Sequence, residues 1–330
     1  MPTLTSVPAP SSVPAPAHSA ILAWYAERGR QLAFRRTRDP YAVLVSESMA
    51  QQTQAARAAE YWERFMARFP TVEALAAATP ADVLRAWQGL GYDRRALALW
   101  RTARIVADEL GGQIPSAVTE LEKLPGIGPY TARAVAAIAF GIPVGAVDVN
   151  VRRVLGRIAG VDAAALLGPA MQRLADEAVP TNRAADWTHA VMDIGAMLCR
   201  PRAPRCEACP AQPWCRYASA ATGRSKRGGA SAATSTDGAA RSPGTSAATL
   251  PRARRKPATP FPSTNRWLRG RILDRLRAAP DGEWVQLDGS IGVHDLGRVL
   301  AAANAMAADG VVELGPDDPG AGIRARLPLA

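Results

Sequence analysis

From Ile21 to about Leu198, apolar residues recur at three- and four-residue steps with little strict alternation, the period of helices that bury one face. Glycine and proline punctuate the pattern at Pro70, Pro80, Gly89, Gly111, Pro115, Pro125, Gly141 and Pro180, so the stretch reads as a series of helices. In one of them Trp187, Ala190, Val191, Ile194, Met197 and Leu198 form the apolar stripe and leave Asp186 and Asp193 off it. Residues 1–18 are dominated by Pro, Ala and Ser, too little apolar surface to offset the entropy of ordering, and are expected to be a disordered tail. Residues 218–262 are Ala, Ser, Thr, Gly and Pro with eight basic residues and one acid, a net +7, and read as a basic disordered linker.

Pattern returns after the linker. A helix is expected near Asn265–Arg277, a strand at Glu283–Leu287, a helix near Asp295–Ala308, and strands at Gly310–Leu314 and Ile323–Leu327. This order resembles a winged helix. The expected fold is thus mostly α: a helical domain over 19–217, the linker over 218–262, and a small winged-helix-like α+β domain over 263–330.

Composition narrows the partners. The chain has 330 residues and a formal net charge of +11, and lysine occurs only at Lys123, Lys226 and Lys256. Such a balance favours a polyanion. A coding bias towards arginine gives the same composition, so charge alone leaves the partner open. No apolar run approaches the roughly 20 residues of a membrane helix, and no secretory apolar region follows the start. A cytoplasmic, nucleoid-associated protein is the expectation.

All four cysteines lie in Cys199-x6-Cys206-x2-Cys209-x5-Cys215, too local for a disulfide framework spread over a secreted fold. Four clustered thiolates suit an iron-sulfur cluster and zinc alike.

Three further segments carry candidate chemistry. Leu124-Pro125-Gly126-Ile127-Gly128-Pro129-Tyr130-Thr131-Ala132-Arg133 places two glycines before a helix, which allows a tight turn and aims free backbone N–H groups at an anion. Asp148, in Val147-Asp148-Val149-Asn150-Val151-Arg152-Arg153, reads from composition as a helix N-cap. Glu47, in Ser46-Glu47-Ser48-Met49-Ala50-Gln51-Gln52-Thr53-Gln54, reads as a solvated helix position.

Taken together, the cysteine spacing, the LPGIGPYTARA hairpin and SESMAQQTQ resemble the helix-hairpin-helix, endonuclease III superfamily of DNA glycosylases over roughly residues 20–217, and SESMAQQTQ in particular its adenine DNA glycosylase family. The resemblance implies two helical subdomains with a four-cysteine iron-sulfur loop, a [4Fe-4S] cluster on Cys199, Cys206, Cys209 and Cys215, and monomeric action on double-stranded DNA containing a mismatch or an oxidised guanine. It makes Glu47 the acid that protonates the departing adenine and Asp148 the stabiliser of the cationic sugar, with Tyr130 and Asn150 positioning the sugar and water. Gln52, Thr53 and Tyr92 are then expected to enter the duplex. Gly126, Gly128, Arg152 and Arg200 are expected to meet the DNA backbone. Tyr130 stands where strand-cutting relatives carry a lysine nucleophile, so base removal without strand cleavage follows.

The implied reaction is excision of adenine opposite 8-oxoguanine or guanine, which initiates base-excision repair. Removal of thymine or uracil opposite guanine is the runner-up, and a non-catalytic iron-sulfur DNA-binding protein a reading of another class. Several positions depart from the family pattern. Leu32-Ala33-Phe34-Arg35 replaces Leu-Pro-Trp-Arg, Asp93 replaces a second Tyr, Val149 replaces Gly or Thr, and His189 occupies a helix position usually held by Gln or Glu. No Nudix-type segment follows the cysteines.

Overall fold

The computed structural model describes residues 13–161, 168–220, 260–315 and 323–329. Eleven α-helices precede the cysteine loop among these residues: α1 Ala15–Arg28, α2 Pro40–Ala50, α3 Ala55–Arg68, α4 Val72–Ala76, α5 Pro80–Ala86, α6 Arg94–Glu109, α7 Val118–Leu121, α8 Pro129–Ala139, α9 Val149–Ala159, α10 Gly168–Glu177 and α11 Ala184–Asp193. Two helical subdomains follow from how their apolar faces cluster. One core is built from α2 to α8. The other gathers α1, α9, α10, α11 and the cysteine loop, so that the two ends of the domain meet. Ala137 of α8 reaches into this second core, and the helix after the hairpin therefore bridges the halves.

Folded structure begins earlier than the pattern at Ile21 indicated. α1 starts at Ala15, and Val13 and Ala17 are buried in the second core. Pro16 is no obstacle, because the first turn of a helix needs no N–H at that position, and the His18 ring packs edge-on to Trp187 at 4.8 Å. Residues 1–12 of the expected tail, and 221–259 of the expected linker, lie outside the described residues.

The C-terminal elements fall where the pattern placed them: α12 Asn265–Ala278, β1 Val285–Leu287, α13 Leu296–Ala308, β2 Glu313–Leu314 and β3 Ile323–Arg326. The strands form an antiparallel sheet in the order β1-β3-β2, with Val285 opposite Ala325 and Glu313 opposite Arg326. This unit packs directly on the first helical core, and its buried Leu268, Ile272, Leu276 and Val299 join the same apolar cluster. Charge fixes the joint. Arg277 Nη2 donates to Asp93 Oδ1 at 2.6 Å and Arg277 Nε to the Leu84 carbonyl at 3.1 Å, while Arg85 Nη2 donates to the Ala279 carbonyl at 3.1 Å and Arg85 also pairs with Asp281. Asp93, a departure from the family pattern, thus serves as an anchor for the C-terminal unit.

Candidate active site and cysteine cavity

The α2 helix carries the first acid into the interior. Asp39 caps it by accepting from the Ala42 N–H at 2.8 Å, with Pro40 in the first turn, and every residue from Tyr41 to Met49 is buried. Glu47 is therefore only 7% exposed, contrary to the solvated position that its local sequence suggested. Burial pushes its carboxyl up to about 7, the Tyr130 hydroxyl and Arg35 counter part of that rise, and Asp148 adds to it. The two acids, the tyrosine and Arg35 thus share one electrostatic environment at the seam between the subdomains.

Asp148 caps α9. Its Oδ1 accepts from the backbone N–H groups of Asn150 at 2.8 Å and Val151 at 2.7 Å, and its Oδ2 from Asn150 Nδ2 at 2.8 Å. The composition-based reading as an N-cap is thus met by this side chain. These three N–H donors fix the carboxyl group at the N-terminal end of α9. Asn150 acts through Asp148: its amide holds the carboxylate, and its Oδ1 accepts from Arg153 Nη2 at 2.8 Å.

Tyr130, on the first turn of α8, is half-buried, with its hydroxyl 3.8 Å from Met192 Sδ. Burial and the nearby Glu47 and Asp148 raise it well above an ordinary phenol, so it stays neutral and available as a donor. Sequence reasoning passed over the group that balances this cluster of charges. Asp193, off the apolar stripe of α11, has no exposed surface and accepts from Arg35 Nη1 and Nη2 at 2.8 and 2.9 Å and from Arg30 Nε at 2.6 Å. Burial alone raises Asp193, but the two arginines more than offset it and hold the carboxyl below its usual range. Arg35 in turn faces Glu47. His189, buried one helical turn before Asp193, is driven down to about 3 by burial and by Arg35, and so is neutral.

A second constellation lies at the C-terminal end of α2. Arg95 Nη1 donates to the Ser48 carbonyl at 2.8 Å and to Met49 O at 3.1 Å, and Nη2 donates to Gly91 O at 3.0 Å. It ties the helix end to the Gly89–Tyr92 loop, a role that the sequence did not disclose. Gln52 and Tyr92 flank this tie in left-handed backbone conformations, φ 54° and 53°, a strained geometry for residues with side chains. Both line one open cleft. Tyr92 is 44% exposed, and Thr53 Oγ1 lies 3.5 Å from Arg95 Nη2.

The hairpin glycines differ. Gly126 has φ +76°, and a Cβ there would sit 2.6 Å from Ala98 Cβ, so the turn and its packing both require glycine. Gly128 has an ordinary backbone and open space around it. Arg152 is half-buried on α9 and Arg200 is exposed on the cysteine loop; neither lines the cleft at Gln52 and Tyr92.

All four cysteines line a single small pocket. They are free thiols. Burial pushes Cys209 up to about 11 and raises Cys206 and Cys215, with the neighbouring thiolates adding to each rise. Among the described residues no three His, Cys, Asp or Glu side chains form a group able to hold a single metal ion. The loop is braced on α9: Arg157 Nη1 donates to Cys199 Sγ at 3.3 Å and to Arg200 O at 2.8 Å, and Arg153 Nε donates to Cys199 O at 2.6 Å. The same helix presents Asp148 at its other end. No helix among the described residues is long and apolar enough to cross a membrane.

Comparison with known proteins places these features in a lineage. Residues 45–177 match the family of HhH-GPD superfamily base excision DNA repair proteins. The chain is 41% identical over 209 residues to the adenine DNA glycosylase of Homo sapiens, a match covering 60% of this chain and 38% of that protein; the chain spans about two fifths of the length of the mammalian relatives it matches. It is 36% identical over 296 residues to the adenine DNA glycosylase of Mycolicibacterium smegmatis, covering 89% of this chain and 91% of that protein. Among solved structures, a thermostable thymine-DNA glycosylase superposes with a TM-score of 0.58 at 31% identity, covering 61% of this chain and 94% of that one. With the hairpin, the paired acids and a relative matched over nearly its full length, the chain belongs to the adenine DNA glycosylase family of helix-hairpin-helix proteins.

Proposed function

We propose that the protein is a monofunctional DNA glycosylase that excises adenine mispaired with 8-oxoguanine or guanine and so initiates base-excision repair. The observation that carries this reading is Glu47, an almost fully buried carboxyl with a pKa of about 7 beside an aspartate held by three N–H donors. Near neutral pH Glu47 is substantially protonated and Asp148 is held in place by its three N–H donors, the one able to give a proton and the other to face developing positive charge, as acid-assisted glycosidic cleavage needs.

In that reaction Glu47 delivers its proton to a ring nitrogen of the flipped adenine. The C1′–N9 bond then breaks with its electron pair leaving on the base. Asp148 faces the cationic sugar as it forms, where a fixed carboxylate acts most strongly. Water adds to C1′, and its proton returns to the Glu47 carboxylate. The neutral Tyr130 hydroxyl offers a hydrogen bond but no amine, so no Schiff base and no strand cleavage follow. Gln52 and Tyr92 fill the stack that the flipped nucleotide leaves, offsetting the few kcal/mol that unpairing costs.

A [4Fe-4S] cluster on Cys199, Cys206, Cys209 and Cys215 fits this chain. Four thiols border one shared pocket but do not close on a single ion, whereas tetrahedral zinc with bonds of about 2.3 Å holds its four sulfurs roughly 3.8 Å apart. When bound, the cluster would supply a covalent brace and a positive charge that offsets the cost of bringing four thiolates together, one of them buried and three partly so. Arg153 and Arg157 carry that brace to α9 and thereby to Asp148. Elemental analysis should give four iron atoms per chain, and one zinc would exclude the cluster.

Single-turnover base release from duplexes with A opposite 8-oxoguanine, A opposite G, T opposite G and U opposite G tests the substrate. Adenine release is expected in the first two, with strand breaks only after alkali. Thymine or uracil release without adenine would overturn the reading. The thermostable thymine-DNA glycosylase is the reason those two duplexes belong in the panel.

A further inference from the structure

The C-terminal unit does more than cover the first core, because its docked position creates a surface that neither part has alone. Between the Gly89–Arg95 segment and α12 runs an open cleft of about 1760 Å³, counting the space open to solvent, with Gln52 and Tyr92 on one wall and Asn265, Arg266 and Trp267 on the other. A second groove of about 1210 Å³ continues from it past Arg94 and Arg95 to Arg101, the hairpin residue Gly126 and the C-terminal end of α13 at Ala308. Arg94, Arg95 and Asp309 line both, so the two form one path.

Seven arginines line that path (94, 95, 101, 266, 269, 271 and 277) against three aspartates (93, 274 and 309), a surplus of four positive charges. The acids are already engaged. Arg277 pairs with Asp93 at 2.6 Å, Arg271 with Asp274 at 2.5 Å, and Asp309 is shared by Arg269 at 2.6 Å and Arg94 at 3.4 Å. Arg95 is committed to backbone carbonyls. What is left is Arg101 and Arg266, both exposed and in no ion pair among the described residues. Arg266 lies over the Tyr92 ring, 4.8 Å from its centroid, a cation held at the mouth of the cleft by stacking and not by an acid.

An elongated, open groove with surplus fixed charge, free guanidinium groups and an exposed aromatic ring suits a polyanionic backbone with stacking bases. We propose that the path between α6 and the α12–α13 unit takes the sugar-phosphate backbone of duplex DNA, with Arg101 and Arg266 as phosphate contacts. The inference rests on DNA being the substrate. It gives the C-terminal unit a share in binding that the helix-hairpin-helix part does not supply.

Equilibrium binding of the full-length protein to a short fluorescent homoduplex across a salt series tests this. Each lost phosphate contact lowers the slope of log K against log salt by about 0.9. The Arg101→Ala/Arg266→Ala double variant should therefore lose roughly 2 from the slope and bind more weakly. Arg266→Lys should retain the slope, since an ammonium still meets a phosphate. Arg275→Ala removes an exposed α12 cation outside the path and should leave the slope unchanged. A double variant with wild-type slope and affinity, or an equal loss in Arg275→Ala, would overturn the proposal. The assay needs no base release, so a protein that binds this way but frees no adenine would refute the proposed reaction and leave the groove standing.

Discussion

Glu47→Gln should stabilise the protein in a pH-dependent way while abolishing most of its activity. In the unfolded chain the carboxyl titrates at its ordinary 4.5, whereas burial in α2 raises it to about 7 in the folded protein. A carboxyl raised on folding contributes its full share of stability below pH 4.5. That share is lost as pH rises through about 7, because the unfolded chain ionises freely while the folded protein must bury the charge or keep the proton. Over the interval from 4.5 to about 7, at about 1.4 kcal/mol per pH unit, the loss comes to about 3 kcal/mol. Glutamine keeps the shape and does not titrate. In urea unfolding at pH 8.5 the variant should therefore exceed the wild type by about 3 kcal/mol, and at pH 5 by less than about 1 kcal/mol. Single-turnover excision should fall by about 10²- to 10⁴-fold, the usual contribution of a positioned acid. A stability difference that does not change between the two pH values would refute the buried, raised carboxyl.

Three other outcomes follow from the same geometry. Asp193→Ala leaves the Arg35 guanidinium buried without its carboxylate, a loss of about 3–5 kcal/mol in thermal or urea unfolding; a change under about 1 kcal/mol would show that the pair carries no such burden. Gly126→Ala should cost about 1–3 kcal/mol from its left-handed backbone and the clash at Ala98, whereas Gly128→Ala, which meets open space, should keep stability within about 0.5 kcal/mol and weaken duplex binding. Borohydride should trap no covalent complex with damaged DNA, and a trapped species would contradict the role given to Tyr130.

Elements with a strong local signal were legible in the sequence. The Ala-rich helix after the hairpin and the five C-terminal elements fell where periodicity and turn residues placed them, because each buries a face that its own residues define. The start of α1 was obscured by prolines that a first turn tolerates. Asp193 was legible only as a residue off the stripe, since its partners Arg30 and Arg35 lie 163 and 158 positions away and no local pattern encodes that distance. The same is true of Arg95, whose donors serve carbonyls from two separate segments. For Glu47, local sequence pointed towards solvent, and only the resemblance placed it in a site; the burial of the whole of α2 supplies the physical reason. Asp93 could be seen as a departure but not explained until Arg277 was placed beside it.

The most direct measurement is the pH profile of single-turnover adenine release from a duplex with A opposite 8-oxoguanine, wild type against Glu47→Gln. With Glu47 as the acid, the wild-type rate should be level below about pH 7 and fall about tenfold per pH unit above it, and the variant should show neither the rate nor the limb. Equal rates in the two proteins, or a wild-type rate that does not decline above neutrality, would contradict the assignment.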